Sequence, residues 1–412
     1  MNDINSIKEI KVGLKFTDNT IPVGRLALRD RIIYFEYDAS FIETNIALSP
    51  YRLPLQSGVQ RFDNQLFEGL PGLFNDSLPD GWGRLLFDRF ARSQGILPSD
   101  ITPLDRLAHV GMNALGALVY EPDQSEETHH DPVRLDELAQ NARDVLEGEA
   151  DEVLAELIAL NGSSGGARPK ALIGVDKSFE NIIHGASDLP AGYEPWMVKF
   201  PNSQDGNDAG AIEYVYALMA IEAGINMPPV HLFNAQDGAG FFAIKRFDRV
   251  GSKRLHMHTA CGLLHSDYRT PSLDYEDLIT LTSSLTRDVR EVEKMYQLAV
   301  FNVMAHNRDD HSKNFSYLLD EQGSWVLSPA YDLTFSSGPR GEQSTMVMGE
   351  GSRPGFSHLR SLGEEAKIAT ARIDEIIEST RAVLSRWENL ANEHGVSSSN
   401  IRLISSKIHT GE

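Results

Sequence analysis

The chain has 412 residues, 41% of them hydrophobic, and a net charge of −21, so it is long enough for two or three domains with a sizeable core. Such acidity argues against direct, non-specific nucleic-acid binding, which needs clustered Lys and Arg. The single cysteine, Cys261, excludes an intrachain disulfide and a cysteine-held metal, and no apolar run nears the roughly 18 residues of a membrane span.

In chain order, MNDINSIKEIKVGLKF lacks the apolar centre of a signal peptide, which makes a cytoplasmic location the expectation. IKVGLKF and IIYFEY read as strands, rich in β-branched and aromatic residues and separated by turn residues. A helix is expected to start at Asp80 or Gly81, with Trp82, Leu85, Leu86 and Phe90 at helical spacing. Residues 121–133 are polar and acidic, a linker or surface loop, and 134–160 form one or two acidic amphipathic helices.

A glycine-rich loop, GSSGGARPK, follows. ALIGV, WMVKF, VHLF and FFAIKRF then read as strands, interrupted by a helix over DAGAIEYVYALMAIEAGI with Tyr214, Leu218 and Ile221 on one stripe. From about residue 272 the pattern is mostly helical. A strand-rich half joined to a helical half implies two lobes with a cleft between them.

The octet NRDDHSKN, Asn307 to Asn314, is an abrupt polar insertion in apolar surroundings. The preceding helix should end near His306, which leaves Asp309 and Asn314 on a loop. FSYLL, the turn DEQG and SWVL then form a hairpin with arms of matched length, which returns the chain to Asp332 beside Asn314 and Asp309. Two carboxylates and an amide are hard oxygen ligands that suit Mg²⁺, and a carboxylate free of metal can accept a hydroxyl proton. D-x-x-x-x-N with a downstream Asp is the arrangement protein kinases use for phosphoryl transfer.

The remaining parts of such a site have candidates. Gly162, Gly165 and Gly166 let backbone N–H groups turn toward an anion. Lys199 is an isolated cation in an apolar strand, and Glu213 on the next helix is placed to pair with it. The connection after FFAIKRFD offers backbone groups to an adenine, with Phe247 as a packing surface. Lys313 is a cation for the transferred phosphate or a surface lysine, while His311 is read as tying the loop to its neighbours. Asp310 is read as solvent-facing or a helper, Cys261 as a small core residue, and WGRLLFDRF as packing within the N-terminal part. Taken singly, each candidate has an ordinary reading: a flexible loop, a strand-edge lysine, a solvated helix face, a capped turn. Their order along the chain is what sets them apart.

GSSGGARPK, MVKFPN, IEYVYALMA, AIKRFDR, NRDDHSKNFSYLL and LSPAYDLT together resemble the HipA family of serine/threonine kinases, the toxins of bacterial toxin–antitoxin pairs. YFEYDASFI, LPDGWGRLLFDR and VGMNALGALVYEP are similar to the N-terminal subdomain of that family. The resemblance implies an α+β, bilobal protein-kinase-like fold with a mixed strand-rich N-terminal lobe, an extra N-terminal subdomain and an all-helical C-terminal lobe. The corresponding divisions are 1–125, 134–250 and 251–412.

The resemblance further implies ATP and Mg²⁺ as cofactors. Asp309 would be the catalytic base, Asn314 and Asp332 would hold Mg²⁺, and Lys199 would meet the ATP phosphates. Ser163, Ser164, Gly165, Gly166, Lys170, Glu213, Lys245, Phe247 and His311 would complete the nucleotide site. Ser163, with Ser164 as the alternative, matches the family's autophosphorylation position; phosphate there would add about −1.5 to −2 charges to a loop that must approach ATP. Implied partners are a small helix-turn-helix antitoxin of HipB type and a protein substrate of the translation machinery, such as an aminoacyl-tRNA synthetase. DNA would be met only through the antitoxin, and no membrane is involved. Arg168 and Pro169 depart from the Gln and Glu of well-known members, and Lys245 stands where an acidic hinge residue is common. A small-molecule phosphotransferase and a non-catalytic binding module are the alternative readings.

Overall fold

The structure is a computed structural model that describes residues 7–62, 66–125, 130–148, 153–162, 165–185, 188–202 and 206–408. Near the N-terminus, β1 (Glu9–Leu14), β2 (Ile21–Arg29), β3 (Ile32–Tyr37), β4 (Gln60–Phe62) and β5 (Leu118–Glu121) pair in the order β4-β3-β2-β1-β5. Alternation sets the inward face: Ile10, Val12 and Leu14 of β1 and Ile33, Phe35 and Tyr37 of β3 are buried. That face packs on the helix Pro103–Val110 through Leu104, Leu107 and Ala108. The helix starts sharply because Thr102 and Asp105 form a reciprocal capping box and Pro103 fills its first position.

A second antiparallel sheet comprises β6 (Lys170–Asp176), β7 (Ile182–His184), β8 (Tyr193–Lys199), β9 (Val230–Phe233) and β10 (Phe241–Lys245), in the order β7-β6-β8-β10-β9. Strand β7 was not legible in the sequence, since three residues are too few to display an alternation. The acidic segment folds as two helices, Leu135–Glu147 and Leu154–Asn161, which cover one face of this sheet. The helix Gly81–Ser93 joins them there. Its Trp82 and Leu86 share a core with Leu157, Ile173 and Val198, so WGRLLFDRF packs into the second sheet and not only within the N-terminal part.

The other face carries Phe242 and Ile244, packed on Ala217 of the helix Ala209–Glu222. That helix is apolar all round, which makes its inward side ambiguous from periodicity. Its buried side is Ala211, Val215, Tyr216, Met219 and Ala220, whereas the expected stripe of Tyr214, Leu218 and Ile221 is partly or largely exposed.

Beyond a short ladder of β11 (Arg249–Val250) and β12 (Lys253–Arg254), the chain enters the helical lobe. Helices Tyr275–Thr286, Val289–Met304, Phe356–Glu365, Thr370–Leu384, Trp387–Glu393 and Ser398–Ser405 share one core with the inner face of Ala209–Glu222. The lobe is not wholly helical. β13 (His256–Thr259) pairs with β15 (Ser316–Leu319), which pairs with β16 (Trp325–Leu327), and β14 (Leu273–Asp274) runs parallel to β17 (Thr345–Met346). The expected hairpin is β15–β16; β13 escaped notice because HMHT has no apolar alternation.

The N-terminal subdomain is fastened to both lobes. Asp76 accepts from the Thr259 N–H at 2.7 Å and hydroxyl at 2.8 Å, and lies 2.6 Å from His258 Nδ1. At the link between lobes, Asp248 accepts from Arg246 at 2.8 Å, from Arg249 at 2.6 Å and from the Gly116 N–H at 2.8 Å. Arg249 donates onward to the carbonyls of Gly116 and Ala114, at 2.8 and 3.0 Å.

Candidate functional site

Lys170 of β6 and Lys199 of β8 stand opposite one another at the cleft end of the second sheet. Lys199 Nζ lies 2.5 Å from Glu213 Oε1 and 2.5 Å from Asp332 Oδ1. Glu213 comes from the helix Ala209–Glu222 and is buried, so the pairing expected of it is made. Burial works against the Lys199 charge, but the carboxylates of Asp332 and Glu213 outweigh it and hold the ammonium pKa above its ordinary value. Arg168 Nη1 approaches the second Glu213 oxygen at 3.5 Å, giving this departure from the family pattern a place in the same network. Burial, aided by the facing charge of Lys199, pushes Lys170 down to about 8. Its ammonium donates to the Gly165 carbonyl.

The helix Val289–Met304 ends where expected, and the octet turns through a short 3₁₀ segment, Ser312–Asn314. Asn314 Nδ2 donates to the Asp309 carbonyl at 2.8 Å, which turns the amide oxygen to the remaining direction. Tyr331 OH donates to the Lys313 carbonyl at 2.6 Å and fixes the loop to the segment that follows β16. Beyond the hairpin Asp332 has φ +58, a left-handed conformation uncommon outside glycine. Asp309, Asn314 and Asp332 all line the same cleft.

Asp309 is exposed on its cleft side, yet the desolvation by the surrounding protein raises its carboxyl above the ordinary range; His311 opposes the rise and Asp332 adds to it. Burial also acts to raise Asp332, but Lys199 and Lys170 overcome it and hold Asp332 well below the usual carboxylate range. The two carboxylates are thus pushed in opposite directions, Asp332 toward the ionised form and Asp309 toward the protonated one.

Asp310 is 1% exposed, so it neither faces solvent nor reaches the cleft. Its carboxylate accepts from Tyr275 OH at 2.7 Å, Gln343 Nε2 at 2.9 Å and the N–H groups of Ser344 and Thr345 at 3.0 and 3.1 Å. It is the internal anchor of the octet, and burial pushes it up to about 7. His311 lines the cleft 5.4 Å from the Tyr268 ring; its Nδ1 is buried without a hydrogen-bond partner, so the tie expected of it is not made through that atom. Lys313 is not a surface lysine. It sits over the Tyr268 ring at 4.6 Å and forms an ion pair with Asp80, which outweighs burial and raises its pKa.

Of the glycine loop, Gly165 and Gly166 line the cleft, and Gly166 has φ +99, open chiefly to glycine. Ser163 and Ser164 lie outside the described residues. Across the cleft, Phe247 stands 5.6 Å from Tyr331 at an interplanar angle of 31°, and Lys245 Nζ pairs with Glu194 at 2.7 Å. The cleft measures about 710 Å³, a size suited to a small-molecule ligand.

Sequence reasoning missed Asp80 and the Asp248 cluster. Asp80 reads as an ordinary helix start; only its position against a remote loop gives it another role. For Asp248 a signal existed: two arginines flank an aspartate at the close of an apolar strand.

Among the described residues no three His, Cys, Asp or Glu side chains form a metal cluster. Asn314 and Asp332 line one cleft and are the side chains that would hold a cation there. Mg²⁺ commonly takes one or two protein oxygens and completes its shell with phosphate and water, so the donor set fits.

Residues 162–387 match the HipA-like C-terminal domain, and residues 16–121 match the HipA N-terminal domain. The chain belongs to the HipA family. Two relatives are from Sinorhizobium fredii (strain NBRC 101917 / NGR234). The one named "Putative kinase Y4mE" is 26% identical over 341 residues, which cover 76% of this chain and 77% of that protein. "Putative kinase Y4dM" is 29% identical over 259 residues, 54% of this chain and 61% of the relative. The solved HipA from Shewanella oneidensis MR-1, in a complex with HipB and operator DNA, superposes with a TM-score of 0.66 at 15% identity. That match covers 96% of this chain and 94% of the solved one, and it establishes the protein-kinase-like fold of this HipA family member. Among the described residues, no helix is long and apolar enough to cross a membrane.

Proposed function

We propose that the chain is an ATP- and Mg²⁺-dependent kinase that phosphorylates Ser or Thr on a protein. The observation that carries this reading is Lys199 of the strand half, held at 2.5 Å by both Glu213 and Asp332 in a cleft that Asp309 and Asn314 also line. When bound, Mg·ATP supplies the transferable phosphoryl group and the divalent charge. Asn314 and Asp332 hold the metal, and Lys199 and Lys170 face the phosphates. Phe247 and the backbone beside Lys245 line the adenine end. Asp309 takes the proton of the attacking hydroxyl, and Lys313 offsets charge that develops at the transferred group.

The three functional parts in this reading are 1–125, 134–250 and 251–412. Membership of the HipA family supports a toxin role in the cytoplasm, with a protein of the translation machinery as target, for example an aminoacyl-tRNA synthetase. The same membership supports self-inactivation by phosphate on Ser163 or its neighbour Ser164. A small basic antitoxin with a helix-turn-helix would neutralise the enzyme and carry the contact with DNA. The net charge of −21 supports that division of labour, since the kinase chain is poorly suited to bind a duplex unaided.

Titration calorimetry with Mg·ATP, followed by mass spectrometry of a lysate incubated with the protein and ATP, tests this reading. Nucleotide binding and a new phosphoprotein are the expected results. A phosphorylated metabolite with no phosphoprotein would redirect the reading to a small-molecule phosphotransferase, and absence of binding would leave a non-catalytic module.

A further inference from the structure

Asp80 is the residue before the helix Gly81–Ser93, in an extended conformation with φ −117 and ψ −177. An aspartate there ordinarily caps its own helix by accepting from the second or third N–H. This one makes no cap bond. Its carboxylate turns outward instead: Oδ1 accepts from the N–H of Gly166 and Oδ2 from the ammonium of Lys313. One side chain of the N-terminal subdomain therefore touches both the glycine loop and the cation next to Asn314.

The contact is built into the backbone as well. Trp82 N–H donates to the Gly166 carbonyl at 3.0 Å, so Gly166 is held through both its N–H and its C=O. Gly81 makes the approach possible. With φ +43, a side chain there would be strained, and its Cβ would fall 2.5 Å from the Gly166 oxygen. Trp82, 2% exposed, roots the helix start in the core beneath the second sheet. Lys313 is fixed from a second direction by the Tyr268 ring, and the Lys313 and Asp80 side chains are each only 15% exposed.

We propose that Asp80 is a positioning residue of the phosphoryl-transfer site, supplied by the N-terminal subdomain, that sets Lys313 and the glycine loop in register with one another. This rests on the kinase reading above. A glycine-rich segment samples many conformations and a lysine many rotamers; Asp80 restricts both at once, so the phosphate-facing groups of the two lobes are aligned before the nucleotide arrives. The N-terminal subdomain thereby acts on the chemistry without contributing a group to the reacting atoms.

The test compares Asp80→Asn and Asp80→Ala with the wild type. Asn retains an oxygen for the Gly166 N–H but not the charge for Lys313. Asp80→Asn should lower kcat by at least about tenfold with KM for ATP within about twofold. Amide exchange of the peptide containing Gly166, measured without nucleotide, should stay unchanged in this variant. Asp80→Ala loses both contacts and leaves Lys313 without its carboxylate, so its exchange in that peptide should be at least about fivefold faster, beyond any change in peptides of the second sheet that reports lost global stability. Wild-type turnover in either variant, or wild-type loop exchange in Asp80→Ala, overturns the assignment. The exchange measurement needs no activity. A wild type that transfers no phosphate would end the kinase reading, while loop exchange would still decide whether Asp80 holds the loop.

Discussion

Lys199 Nζ and Asp332 Oδ1 lie 2.5 Å apart, one from the strand half and one from the helical half, and the same ammonium meets the buried Glu213. The pair joins the lobes at the place where phosphates and metal would sit. Replacing Lys199 by Met leaves Glu213 with only the 3.5 Å approach of Arg168 and leaves Asp332 without its closest cation. The variant should lose about 3 kcal/mol of stability, as is typical of a buried pair broken on one side. Mg·ATP affinity should fall by at least about tenfold. Denaturant unfolding and calorimetry read the two effects, and unchanged values in both would remove Lys199 from the site.

Asp310 makes stability depend on pH in a particular window. Its folded pKa of about 7 lies above the ordinary 3.8, so between these values the folded chain binds more protons than the unfolded chain. The stabilising contribution is complete below the lower value and is lost as pH rises through about 7, in total on the order of 4 kcal/mol. Asp310→Asn removes the titrating proton. The stability of wild type minus that of Asp310→Asn should therefore decline from pH 4 to pH 7 in paired unfolding curves. A flat difference would show that the four donors keep the carboxylate ionised throughout.

The Asp248 cluster predicts a structural effect without a catalytic one at its source. Asp248→Ala strands Arg246 and Arg249 without their shared carboxylate and frees Gly116 N–H. Unfolding should become easier by about 3–5 kcal/mol. Proteolysis should open first at residues 112–116, where Arg249 and Arg254 grip the carbonyls. Wild-type resistance to both denaturant and protease would deny the cluster its fastening role.

Lys245 gives the contrasting case. Its pairing with Glu194 is partly exposed, with side-chain exposures of 29% and 47%. Such pairs contribute about 0–1 kcal/mol. Lys245→Ala should leave stability nearly unchanged and shift KM for ATP by no more than about twofold, because in the proposed site the adenine would be met at this place by backbone groups. A large rise in KM would give the ammonium a direct part in nucleotide binding.

Much of this site could be read from the sequence because its logic is local. The four-residue gap from Asp309 to Asn314, the hairpin of matched arms and the lone lysine of β8 each place a group by short-range geometry. Register on β15 and β16 turns the chain back toward the octet, and the bonds of Ser328 to Ser316 and of Tyr331 to Lys313 carry that return on to Asp332. What escaped depends on distant partners. Asp80 and Lys313 are separated by 233 residues, and no periodicity relates them. Asp310 lies next to Asp309 in sequence but is buried, because its carboxylate is taken by Tyr275, Gln343, Ser344 and Thr345, all distant in the chain. Ala209–Glu222 lies between a sheet and a helical core, so its buried positions do not fall on one stripe for a pattern to mark.

The most direct test is transfer of labelled γ-phosphate from ATP, with Mg²⁺, to the chain itself or to a lysate protein, by the wild type and by Asp309→Asn. Asn preserves the shape of the loop but cannot accept the hydroxyl proton. The wild type is expected to label and Asp309→Asn to fall to background. Equal labelling by the two proteins would contradict the assignment of the base and, with it, the phosphoryl-transfer mechanism.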